Sequence, residues 1–229
     1  QGYERVESEN DVTLREEAIK VAKNSELVIL CVGLTENFES EGMDRFTLDI
    51  PANQNKLIEE ICKVNKKVVI VLSNGSPILM PWKDDVQAII TGYLGGEAGA
   101  EAMVNCLTGK VNPSGKLAET YPLSLEDTPC YNYYPGTEVS VEYKESIYVG
   151  YRYYDKISKN VLFPFGYGLS YTTFEYSNLN VEEDEEDIIV RLKIKNTGKV
   201  AGKEIAQVYI GQENSKIFKA KKELKGFEK

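Results

Sequence analysis

The chain has 229 residues, with 27 Lys and Arg against 36 Asp and Glu, no histidine, and a net charge of -9. That balance argues against nucleic acid and anionic membrane surfaces as partners. The missing histidine removes Ser-His-Asp and Cys-His catalysis and most zinc chemistry, so acid–base work must fall to carboxylates, Lys, Tyr or Cys.

No apolar run approaches the length needed to cross a bilayer, and no signal-peptide pattern opens the chain. It begins at Gln1 rather than Met. The expectation is a portion of a longer protein, with an upstream export signal left open. The four cysteines, Cys31, Cys62, Cys106 and Cys130, show no CxxC spacing, so no metal site is expected. Cys31 and Cys62 fall in apolar segments and are expected to be buried thiols, which favours a reducing, cytoplasmic compartment.

Residues 11–24 read as a helix, capped by Asp11 or Thr13, with Leu14, Ala18, Val21 and Ala22 at helical spacing. Residues 27–32 (LVILCV) read as a strand buried on both faces, stopped by Gly33. A loop follows with Glu36, Glu39, Glu41, Asp44, Arg45 and the aromatic Phe38. In an open parallel sheet such a loop leaves the carboxyl end of a strand, where ligands bind. Pro51 opens a second helix with Leu57, Ile58, Ile61 and Cys62 inward. Residues 67–73 are a second buried strand ending in the turn Asn74-Gly75-Ser76-Pro77, and residues 86–93 a third. A helix follows Gly95-Gly96-Glu97, a stretch without the spacing of a phosphate-binding loop. Strand and helix alternating in this way predict an α/β fold, a mostly parallel sheet with helices on both faces.

Residues 116–121 read as an edge strand. Residues 128–165 are rich in Tyr and Pro and show no period. FPFGYGLSYTTF, residues 163–174, reads as packing at a boundary. Beyond it the pattern turns to period two: residues 174–181, 187–196 and 203–210 read as antiparallel strands, with residues 222–229 as a last strand that has nothing after it to pair with. The acidic run at residues 182–187 reads as a solvated turn. Three or four strands open a β-sandwich without completing its usual seven or so.

The stretches VGLTENFESEGMDR, VLSNGSPI, ITGYLGGEAGAEAMVNCLTGKVNPSGKLAETYP and LFPFGYGLSYTTFEYSNL, in this order, resemble glycoside hydrolase family 3, the β-glucosidases and their relatives. The resemblance implies that family's C-terminal α/β domain over residues 1–170 and an incomplete fibronectin type III-like domain over residues 171–229. It implies the acid/base-bearing portion of a retaining, exo-acting β-glycosidase, a β-glucosidase by default, hydrolysing terminal β-linked sugars. The partner it implies is a (β/α)₈ barrel, absent from this chain, that carries an Asp nucleophile. One carboxyl must attack ionised while the other protonates the leaving oxygen. An ungapped match to the family's motif selects Glu41 as general acid/base, and a gapped match selects Glu39. Phe38 and Glu39 are candidate sugar contacts, with an ordinary packed role for Phe38 standing beside that. Asp44 and Arg45 are expected to orient the loop by an ion pair. No cofactor and no metal is implied, and self-association is a further expectation. The rival reading is a non-catalytic carbohydrate-binding or oligomerisation module.

Overall fold

The computed structural model describes residues 1–6 and 11–229. Its backbone falls into two compact units. The first comprises Gln1–Val104, Thr120–Ser146 and Asn160–Phe163, and the second Asn105–Glu119, Ile147–Lys159 and Pro164–Lys229.

In the first unit the order is α1 (Asp11–Lys23), β1 (Val28–Gly33), α2 (Ala52–Val64), β2 (Val68–Ser73) and β3 (Ala88–Thr91). Next comes α3 (Gly99–Leu107), whose last turn belongs to the second unit. The sheet order is β1-β2-β3, parallel throughout, with Val28 opposite Val68 and Val69 opposite Ala88. β2 is central, and its Val68, Ile70 and Leu72 are fully enclosed. Helix α2 starts at Pro51, whose extended backbone and missing N–H suit a helix entry. It buries Leu57, Ile58, Ile61 and Cys62 on one face, as its 3.6-residue spacing predicts. Helix α1 packs on α2, with Arg15 bonded to Glu60 at 3.0 Å.

Four expectations are corrected here. β1 is not buried on both faces. It is the edge of the sheet, Ile29 is 46% exposed, and only Val32 and Gly33 are enclosed. Cys31 is therefore exposed, while Cys62 is buried as expected. Val21, placed on the inner face of α1 by its spacing, is 66% exposed, because α1 turns Ala22 inward instead. Residues 116–121 form no strand. Tyr121 makes a single antiparallel bridge to Phe163.

The second unit contains α4 (Tyr151–Ile157), β4 (Phe174–Asp184), β5 (Asp187–Asn196), β6 (Ala206–Ile210) and β7 (Glu223–Glu228). β4 and β5 form a hairpin that closes at the Asp184–Asp187 pair, so the acidic run supplies a strand end and the turn. β7 finds its partner earlier in the chain, antiparallel to β6. These two hairpins are a partial β-sandwich following the α/β portion.

Helix α4 was not anticipated, since YRYYDKI has no apolar period. Gly150 at its start has φ 53, and Ser158 ends it in the left-handed region. Its stability comes from tertiary contacts. The Tyr151 ring lies 5.0 Å from Phe165 and 5.8 Å from Tyr209, and its hydroxyl accepts the Leu224 N–H at 2.8 Å.

The glycine-rich aromatic stretch packs, as read. Leu117 and the 166–167 backbone exchange two hydrogen bonds of 2.7 Å. A Cβ at Gly168 would lie 2.2 Å from the Gly115 carbonyl oxygen, so two backbones meet where only glycine fits. The Lys116 ammonium donates to the Gly168 carbonyl at 2.7 Å and pairs with Glu204 at 3.1 Å.

Candidate functional site

The acidic loop, residues 34–50, joins β1 to α2 at the carboxyl end of the sheet. Its start is fixed by an unusual pairing. Gln54, on the first turn of α2, accepts the Gly33 N–H at 2.8 Å and donates to the Gly33 carbonyl at 3.0 Å. A buried side-chain amide thus satisfies both backbone groups of the last residue of an edge strand, which no neighbouring strand reaches. Leu34 then donates to the Ser73 carbonyl at 2.9 Å. The loop's far end is held by enclosed Ile50 and by the Leu79 N–H, 2.8 Å from the Leu48 carbonyl.

Between these ends the loop makes two turns. Phe38 and Glu39 both donate their N–H to the Thr35 carbonyl, at 2.8 and 3.0 Å, which coils residues 35–39 and leaves Phe38 half-buried. Then Met43 donates to the Ser40 carbonyl at 3.4 Å. Gly42, third in that turn, has φ 76 and open space around it. A positive φ at the third position is what a type II turn requires, and it explains a glycine directly after Glu41. Glu41 occupies the second position, at the apex. It is exposed, and among the described residues its carboxylate takes no hydrogen bond and no ion pair.

Glu39 is placed differently. Its Oε2 accepts the Gly75 N–H at 2.7 Å and its Oε1 accepts the Ser76 hydroxyl at 2.6 Å. Ser76 Oγ in turn accepts from Arg45 Nη1 at 2.7 Å, and the same nitrogen donates to the Pro77 carbonyl at 3.0 Å. The turn beneath is locked from inside. Asn74, fully buried, donates to Tyr121 Oη at 3.0 Å and to the Ser76 carbonyl at 2.9 Å, and accepts from Thr91 Oγ1 at 3.1 Å.

The expected Asp44–Arg45 ion pair is replaced by two separate anchors. Arg45 reaches the Ser76–Pro77 turn, and Asp44 accepts the Tyr134 hydroxyl. That bond to an anionic acceptor, with smaller contributions from burial and the carboxylate's charge, pushes the Tyr134 phenol above its ordinary value. Glu36 pairs with Arg5. A backbone hydrogen bond, then the Arg5 guanidinium, hold its carboxyl below the usual range.

Three participants escaped the sequence reading of the site. Ser76 and Gly75 were legible only as a turn, though VLSNGSPI was among the stretches that carried the resemblance. Tyr134 lies 90 positions from Asp44, and no local pattern could have joined them. An open groove of about 880 Å³ runs along β1 and α1, and neither Glu39 nor Glu41 lines it. The turn at Glu41 and Gly42 is exposed, with open space around Gly42, so it holds a carboxyl out from the loop.

What these features define is an α/β domain that presents one carboxyl at its sheet's rim, followed by antiparallel hairpins. The model of the glycosyl hydrolase family 3 C-terminal domain matches residues 4–171, and the chain belongs to that family. It is 49% identical to a thermostable β-glucosidase B of Acetivibrio thermocellus, with all of this chain and 31% of that protein covered. An exo-α-(1→6)-L-arabinopyranosidase of Bifidobacterium breve is 43% identical, with 96% of this chain and 29% of that one covered. Among solved structures, the family 3 β-glucosidase of Bifidobacterium adolescentis superposes with a TM-score of 0.95 at 42% identity. That match covers 99% of this chain and 34% of the other. The chain thus spans about a third of the length of these relatives.

Proposed function

We propose that this chain is the acid/base-bearing portion of a retaining, exo-acting β-glycosidase, with Glu41 as general acid and then general base. A terminal β-glucoside is the favoured substrate. The other carboxyl, an Asp nucleophile, comes from a (β/α)₈ barrel in the remainder of the protein. Residues 1–170 are then the family's α/β domain, and residues 171–229 the opening of a fibronectin type III-like domain.

One observation carries the choice of Glu41. Two glutamates compete for the role, and Glu39 has both oxygens bonded to the Gly75–Ser76 turn, whereas Glu41 stands exposed at a turn apex. A general acid must reach the leaving oxygen. A group already committed to its own domain does not. The exposure of Glu41 at a turn apex supports a second contributor, because a sugar needs a concave site, and retaining chemistry needs the second carboxyl within about 5–5.5 Å. Sugar identity follows from that second contributor. The relatives include a glucosidase and an arabinopyranosidase, so the glucoside assignment is the default of the resemblance.

The test is Glu41→Gln in the full-length protein. Hydrolysis of an alkyl β-glucoside, whose leaving group needs a proton, should fall by about 10²–10⁴-fold. A dinitrophenyl glucoside, whose leaving group departs unaided, should lose far less in its first step. Equal rates for variant and parent on both substrates would instead favour a non-catalytic module.

A further inference from the structure

We infer that Glu39 is a positioning residue, a clamp that with Ser76, Gly75 and Arg45 sets where the Glu41 carboxyl stands. This rests on Glu41 being the acid/base.

The two anchors straddle the apex. Glu39 lies two residues before Glu41 and Arg45 four after it, and both end on the same hydroxyl, Ser76 Oγ, at 2.6 and 2.7 Å. The Ser40–Met43 turn is therefore tied on either side to one point of the sheet. That point is itself rigid, since Asn74 beneath it is bonded to Tyr121, Thr91 and the Ser76 carbonyl. The fit at Gly75 is close. A Cβ there would meet the Glu39 carboxyl at 2.9–3.0 Å, so any larger residue would push the carboxylate back from the Gly75 N–H. Bonds from N–H and O–H donors to an ionised carboxylate are among the stronger hydrogen bonds. A loop released at Glu39 would keep its far anchors and swing its apex. The carboxyl whose distance to the leaving oxygen matters most is the one displaced.

In the full-length enzyme, Glu39→Ala should lower kcat on an alkyl glucoside by about 10²-fold, the loss expected from a displacement near 1 Å. KM for the alkyl glucoside should change little. On the dinitrophenyl glucoside, kcat/KM, which reports the first step, should lose far less, because only the second step there needs the displaced carboxyl as base. Ser76→Ala should repeat the pattern, and Ser76→Thr, which keeps the hydroxyl, should recover most of it. In a Glu41→Gln background, Glu39→Ala should add no more than about a two-fold loss, because a clamp with nothing to place has no further effect. In the chain itself, Glu39→Ala should speed amide exchange at Gly75 while Ile70 in β2 stays protected.

Equal losses of kcat/KM on both substrates, or a loss in the double variant that multiplies in full, would overturn the clamp. So would azide restoring Glu39→Ala but not Glu41→Gln, since Glu39 would then be the acid. Impaired Glu41→Gln beside unimpaired Glu39→Ala removes the clamp and leaves the acid/base reading standing. Unimpaired Glu41→Gln removes both.

Discussion

Gly33 shows how one residue governs the start of the site. A Cβ there would fall 2.0 Å from the Ser73 carbonyl oxygen, closer than any contact that side-chain adjustment relieves. Gly33→Ala forces β1 and β2 apart where Leu34 and Gln54 also bind. The expected cost is about 1–3 kcal/mol, the usual range for overpacking, read as a lower urea midpoint for the first unit. Gly42 is the opposite case. Its surroundings are open, so Gly42→Ala meets only the backbone penalty of positive φ, about 1–2 kcal/mol. Activity in the full-length enzyme should fall more than stability does, because the strain is relieved by moving the apex. Sequence reading recognised Gly33 as the strand's stop. It had no means of naming Ser73 as the reason, since the two are joined through strand register and not through neighbouring positions.

Elements in the second unit are joined through the same stretches that carry the family resemblance. Lys116, from NPSGKL, and Glu204 form a pair whose side chains are 15% and 14% exposed. Removing one partner of an enclosed pair strands the other's charge. Lys116→Ala should therefore destabilise this unit by roughly 3 kcal/mol, and it also frees the Gly168 carbonyl. Urea titration of the variant checks it. Tyr176 of β4 donates to the same Glu204 at 3.1 Å. Burial of its hydroxyl first, and then the Glu204 carboxylate, push the phenol up to about 12. Folding thus favours the protonated phenol. Its contribution is complete below about pH 10, the ordinary tyrosine value, and is lost as pH rises toward about 12. Tyr176→Phe should flatten that part of the pH–stability curve and leave stability at pH 7 less sensitive. The strands of this unit were legible because period two survives in a half-exposed hairpin. Helix α4 was not, because its order comes from the Phe165 and Tyr209 rings.

At the scale of the whole chain, the proposal of a shared active site has a direct consequence. The chain alone should turn over aryl β-glucosides at a negligible rate, measured by release of the aryl group. Brisk turnover would refute the two-part site. The outer edge of β1 has a second consequence. Ile29 and the preceding Leu27 are 46% and 51% exposed and line one groove with Val21 of α1, and an uncovered edge strand with apolar side chains is a template for pairing. Sedimentation of the isolated chain should show concentration-dependent association, and Ile29→Lys should reduce it.

The sequence by itself carried the α/β class, the parallel strands, the antiparallel strands that follow and the family, and it offered a short list of glutamates. All of these depend on local spacing or on motifs read in order. The pairing of β7 with β6 came only from the fold. Which glutamate is tied down and which is presented was decided only by the fold. A carboxylate's role depends on what faces it, and Glu39 faces a turn 36 positions away that the crossing of β1 to β2 brings beside it. The separate anchoring of Asp44 and Arg45, the exposure of β1 and the existence of α4 belong to the same category. Each is fixed by partners distant in the chain, and no periodicity within a segment encodes those partners.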